Sequence, residues 1–145
     1  GTVAKMTAVL LSLTLALLGV FQARAEVPVQ PDFDDAKFSG MWHIMAAVSN
    51  CPVFLSMKDS MKTSAANITV TPEGNLHFEI GYPLAGECKK MELVFEKTEQ
   101  LGHYTNSQRG KQDLRVMETD YTNSAIVYIF KDSDEKSSVT LQLYS

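Results

Sequence analysis

Three histidines, two cysteines and a few well-spaced lysines are the side chains of this sequence with the greatest chemical reach. His43, His77 and His103 stand in three separate segments. No His-Glu-x-x-His motif, paired-cysteine motif or glycine-rich phosphate loop accompanies them, so the local spacing that gathers a metal ion or a phosphate is missing. The expectation is surface imidazoles, no metal and no cofactor. Cys51 and Cys88 could bond to each other or each to a partner elsewhere, and their spacing does not choose. Asn67-Ile68-Thr69 is the one N-glycosylation sequon, usable if the chain is exported.

Export is what the leader implies. Met6 to Ala25, "MTAVLLSLTLALLGVFQARA", carries an apolar run without charge until Arg24 and closes on Ala23-Arg24-Ala25, a small-x-small cleavage pattern. The run approaches the length of a membrane span, but its position and cleavage site favour a secretory signal peptide over an anchor. Residues 1–25 are expected to be a leader, and residues 26–145 one mature domain of about 120 residues. Without Lys5 and Arg24, the thirteen Lys and Arg become eleven against seventeen Asp and Glu, a net charge of −6. An acidic chain with no basic cluster argues against a nucleic-acid partner. An extracellular location would permit disulfides.

After Trp42 the chain reads as short strands separated by turns. Residues 62–71 become β-branched toward their end, and Pro72-Glu73-Gly74-Asn75 is a compact turn signal. Leu76, Phe78, Ile80 and Tyr82 share one face of 76–82, as Met91, Leu93 and Phe95 do in 89–97. Residues 101–106 form a weaker strand, and 113–119 alternate through Leu114 and Val116. Residues 124–131 are apolar on both faces, and a polar connection leads to 139–145. Eight candidate strands without a long interior helix predict an all-β domain, either an up-and-down antiparallel barrel or a sandwich. The longest connection, 50–61, is long enough to act as a lid over one end. If Ile68 and Val70 face inward, so do Ser64 and Ala66, and Asn67 meets solvent as a glycan requires. The same alternation turns His43 and His77 outward.

Gly40-Met41-Trp42 opens the first strand. Gly40 is expected to permit a close backbone approach there, and Trp42 to plug the narrow end of a barrel. Thr119-Asp120-Tyr121 follows a later strand and opens a turn. In an eight-strand chain with an export signal, this pair of motifs resembles the lipocalin family over Phe38 to Ser145. The stretches "QPDFDDAKFSGMW" (30–42), "SN" (49–50), "METDY" (117–121) and "LYS" (143–145) are similar to the branch that holds lipocalin-type prostaglandin D synthase and the avian extracellular fatty-acid-binding lipocalins. The resemblance implies an eight-stranded up-and-down antiparallel lipocalin barrel, closed near Trp42, open at the other end, and binding small lipophilic molecules. In the family an Arg, a C-terminal helix and a final cysteine follow the last strand. This sequence stops at Ser145, so it reads as a fragment. Cys88 matches the family's structural cysteine, whose disulfide partner would lie beyond that point. The outward residues Ile126, Tyr128 and Phe130 would lie under the absent helix.

In such a cup the ligand would meet Trp42, Phe78, Tyr82, Met91 and Leu93, then Leu114, Val116, Val127 and Tyr144 across the barrel. Gln112 and Gln142 also take inner positions. With the first strand running from the closed end to the open end, the inward phase brings Lys62, Lys89 and Lys131 near the mouth. Three ammonium groups around a greasy cup suit a ligand with an acidic head. The isomerase of this branch uses a cysteine thiol on its second strand, and counting back from Cys88 without a gap puts that position on Ser64. Ser64 is therefore expected to be a polar pocket residue without catalytic function, and Cys51, in the lid loop, is a poor substitute. The leading expectation is a secreted, non-enzymatic carrier or scavenger of fatty acids or related lipids. The alternatives are a prostaglandin D synthase-like isomerase and a siderophore-binding lipocalin, which would want cations deep in the cup. No feature identifies a cell-surface receptor.

Overall fold

The computed structural model describes residues 2–9, 26–57, 63–108, 110–134 and 136–145. Alternating side chains generate eight antiparallel strands: β1 (Gly40–Ser49), β2 (Ser64–Val70), β3 (Leu76–Leu84), β4 (Glu87–Lys97), β5 (His103–Asn106), β6 (Lys111–Thr119), β7 (Ala125–Asp132) and β8 (Ser138–Tyr144). Each pairs with the next, and β8 returns to β1, closing the barrel and leaving no free sheet edge. The barrel, rather than the sandwich, is therefore the solution. Two short helices flank β1, α1 (Asp35–Phe38) before it and α2 (Pro52–Met57) after it. Among the described residues no helix is long and apolar enough to cross a membrane. Most of the leader, residues 10–25, lies outside the described residues.

Closure depends on β1 serving two neighbours. Gly40 to Ile44 pair with β2, and Ile44 to Ser49 pair with β8, with a register shift between Ile44 and Ala46. Such a bulge bends a strand and increases its twist, which lets one strand turn from one partner to the next. Gly40 works differently from expectation. A Cβ placed on it would meet nothing within 4 Å, so no close approach requires glycine there. Its φ of 130° does, because that backbone conformation is closed to other L-residues.

The β3–β4 pair is longer than the alternation suggests. Leu84 pairs with Glu87 across Ala85-Gly86, whose φ angles of 53° and 81° are both positive, as a two-residue turn matched to strand twist requires. Ala85-Gly86 carries little turn signal by residue type, which hides the true end of the hairpin. The ladder therefore runs two residues further on each strand, and residues 83–90 are exposed. β5 is shorter than expected, since Leu101 and Gly102 belong to the turn before it.

Burial follows the strand phase. Ala66, Ile68, Leu76, Phe78, Phe95, Leu114, Val116, Ala125 and Val127 are buried inside the barrel. Asn67 is half-buried and Thr69 exposed on the other face of β2. The outer faces of β1, β8 and β7 are also apolar. Val48 pairs with Leu141 and Leu141 with Tyr128, while Leu143 pairs with Ile126. Val48, Leu141, Leu143 and Ile126 are all exposed.

Candidate ligand cavity

The closed end is built from a chain of aromatic rings. Phe33 packs against Phe38 (5.4 Å between centroids), Tyr121 (6.1 Å) and Tyr104 (6.3 Å). Phe38 meets Trp42 at 5.4 Å, and Trp42 meets Tyr144 at 6.4 Å. Phe38 and Trp42 are buried, and the indole Nε1 donates to the Phe38 carbonyl at 2.8 Å, so the one polar atom of the ring is satisfied in the core. The Thr119-Asp120-Tyr121 turn locks this plug to the barrel. The Asp120 carboxylate accepts backbone N–H bonds from Thr122, Asn123 and Ser124, which hold its pKa below the usual carboxylate range. Thr119 Oγ1 accepts from the Tyr121 N–H at 2.9 Å, fixing Tyr121 at a φ of 64°. From there the Tyr121 hydroxyl accepts the Asp34 N–H at 3.1 Å, just before α1. The two sequence motifs thus meet at one end of the molecule, joined through Phe33 and Phe38.

Above that plug lies a cavity of about 400 Å³. Its β3–β4 wall is apolar: Phe78, Ile80, Met91, Leu93 and Phe95. The wall formed by β6, β7 and β8 mixes Leu114 and Ile129 with Gln112, Lys131, Ser138, Thr140 and Gln142. Tyr144 forms part of the floor, and Cys51 and Phe54 reach over from the segment containing α2. That placement gives part of the 50–61 connection the position of a lid, while residues 58–62 lie outside the described residues.

The strand register arranges the polar residues in a row. Asn106 on β5 pairs with Gln112, Gln112 with Lys131, and Lys131 with Ser138. Asn106 is buried; its Oδ1 accepts the Gln108 N–H at 2.7 Å, while its Nδ2 has no partner among the described residues. Among the described residues Lys131 makes no ion pair. Deeper in the barrel, Gln142 Oε1 accepts a hydrogen bond from the Tyr144 hydroxyl at 2.8 Å. Burial pushes the Tyr144 phenol pKa well up, so the hydroxyl keeps its proton.

Of the residues expected to face the ligand, Phe78, Met91, Leu93, Leu114, Lys131 and Tyr144 line this cavity. Trp42, Val116 and Val127 are buried beneath it and do not reach its wall, because Tyr144 packs over Trp42. Ser64 shares the phase of Ala66 and Ile68 but stands outside the lining. Tyr82 and Lys89 keep the inward phase, yet they pair with each other at the base of the hairpin extension and are not part of the cavity lining. Lys89 forms an ion pair with Glu87 at 2.8 Å instead. Lys62 lies outside the described residues. The cationic group observed in the cavity is thus Lys131.

Cys51, set aside by its loop position, lies on the cavity wall. Cys88 is exposed on the hairpin. The signal for Ser138 and Thr140 was present, since both share the alternation of Gln142 and Tyr144. Phe54 had none, because a loop has no period. The histidines sit apart from the cavity. His43 is exposed, His103 bonds Asp113 at 2.5 Å, and His77 approaches Glu79 and Glu92 on the outer sheet face, at 4.0 and 3.8 Å.

Residues 39–145 match the model of the Lipocalin / cytosolic fatty-acid binding protein family. The chain belongs to this family. It is 39% identical over 140 residues to human Lipocalin-15, covering 97% of this chain and 76% of that protein. It is 34% identical over 140 residues to the extracellular fatty acid-binding protein of Coturnix japonica, covering 97% and 77%. A solved structure of the siderocalin Ex-FABP, described as functioning through dual ligand specificities, superposes with a TM-score of 0.68 at 30% identity, covering 75% of this chain and 73% of that one. This lipocalin therefore stands near the avian extracellular fatty-acid-binding branch, as its motifs suggested.

Proposed function

We propose that this lipocalin is a secreted carrier of small hydrophobic anions, with fatty acids as the model ligand. The observation that carries the reading is Lys131, a cation without an ion pair among the described residues, on the wall of an otherwise largely apolar cavity. A carboxylate held by Lys131, with Gln112 and Ser138 beside it, would leave the alkyl tail against Phe78, Leu93 and Leu114. The names of the fatty-acid-binding and extracellular relatives support both the ligand class and the location. The test is a titration of a long-chain fatty acid against its methyl ester. The acid should bind more tightly, because a charge-assisted contact is worth about 1.5–3 kcal/mol when desolvated and less near an exposed rim. Equal affinities would remove the anionic part of the proposal.

The likeness to a siderocalin supports a second ligand, an anionic iron chelate. Lys131 is the one Lys or Arg in the cavity lining among the described residues, which favours the lipid over a chelate of high charge. The protein is further proposed to bind without transforming its ligand. Ser64 lies off the cavity wall, and a serine hydroxyl needs an adjacent base to become nucleophilic. Cys51 is the cysteine in the cavity lining among the described residues. Incubation with prostaglandin H2 and a thiol cofactor should give no product above the spontaneous background. Turnover that disappears in Cys51→Ala would assign the protein to the isomerases.

A further inference from the structure

Resting on the carrier reading, we propose that the cavity prefers lipids with an internal oxygen, a ketone or hydroxyl part-way along the chain, and that the Gln142 amide recognises it. The geometry fixes which way that amide points. Tyr144 is sealed in the floor with its hydroxyl protonated, and it donates to Gln142 Oε1 at 2.8 Å. With the oxygen so engaged, the Gln142 Nε2 group is left for the cavity that Gln142 lines, and no described residue accepts from it. Tyr144 acts here as a positioning residue, holding the amide with its donor side toward the ligand.

An unsubstituted alkyl chain passing this point would displace water from a donor and offer nothing in return, which is costly. A chain bearing an acceptor at that depth would satisfy it. The depth follows from the register. Lys131 pairs with Ser138, and Val127, four residues along β7, pairs with Gln142. Four residues of strand span about 13 Å, the reach of an alkyl chain of about ten carbons. A carboxylate at Lys131 therefore places the middle of an eighteen-carbon acid beside Gln142.

The test is calorimetric comparison of octadecanoic acid with 10-oxo-octadecanoic acid. The wild-type protein should bind the oxo acid about threefold to tenfold more tightly, the worth of one neutral hydrogen bond. Gln142→Leu should bind the two acids equally. Tyr144→Phe, which frees the amide to turn, should narrow the preference while keeping both acids bound. A 13C label at the ketone should shift downfield in the wild type and less in Gln142→Leu. Equal affinities in the wild type, or a preference that survives Gln142→Leu, would overturn the inference and leave the carrier standing. Failure of both acids to bind the wild type would overturn the carrier reading, and this inference with it.

Discussion

At the closed end, the Trp42 indole, the Tyr121 hydroxyl and the Asp120 carboxylate all have protein partners. At the open end, the Lys131 ammonium and the buried Asn106 amide nitrogen have none among the described residues. Buried polar groups in folded proteins are nearly always paired, so the Asn106 amide nitrogen is an exception that needs a physical reason. One end of the barrel has used its polar groups to hold itself together. The other leaves two of them without a partner among the described residues, as the proposed carrier reading requires. Part of the difference comes from the segments before β1 and after β6, which supply Phe33, Phe38 and Tyr121, and part from side-chain choice along the strands: β7 carries Ala125 and Val127 at the bottom, and Ile129 and Lys131 toward the top.

The contrast is broken most severely by removing the plug. Trp42→Ala would take a buried ring out from between Phe38 and Tyr144, and such truncations cost about 3–5 kcal/mol. Chemical denaturation should show a loss of that size, whereas a loss below about 1 kcal/mol would mean that the floor is redundant. At the open end, Lys131→Met should leave stability nearly unchanged but reduce the preference for a fatty acid over its methyl ester by about tenfold. Isothermal titration of both ligands against both proteins reads this directly.

The Asp120 turn sharpens the contrast through pH. Its carboxyl pKa is held below the ordinary 3.8 by backbone N–H donors, chiefly that of Thr122. A lowered folded pKa gives stability that is present above the unfolded value and lost as pH falls through the folded one. Thermal melts of wild type and Asp120→Asn should therefore differ at neutral pH and converge below the carboxylate range. A constant difference at every pH would show that charge is not what the turn uses. The smallest effect belongs to the outer face, where Leu141→Lys should change neither stability nor ligand affinity by more than about 0.5 kcal/mol. It should, however, reduce self-association in sedimentation, because a contiguous exposed apolar face favours it.

The two ends were not equally legible in the sequence. The plug was readable because its parts are local motifs, with Gly40-Met41-Trp42 and Thr119-Asp120-Tyr121 standing out by residue type. Strand phase also sorted inside from outside, as Phe78, Leu93 and Leu114 illustrate. Phase could not say where the barrel stops. Tyr82 and Lys89 have the inward parity but stand where the β3–β4 hairpin passes beyond the cavity, toward a turn at Ala85-Gly86 that does not announce itself. The cavity's polar side was legible only in part. Alternation put Gln112 and Lys131 inward, but the register of four strands is what aligns them with Asn106 and Ser138.

In the proposed carrier, a lipid enters with its head at the polar row and its tail on the aromatic floor. Fatty acids carrying a nitroxide near the carboxyl or near the tail end would test it, by the backbone amide signals each one broadens. The head-labelled acid should broaden Gln112, Lys131 and Ser138, and the tail-labelled acid should broaden Val116, Val127 and Tyr144. The reverse pattern, or one that does not depend on the label's position, would contradict the account.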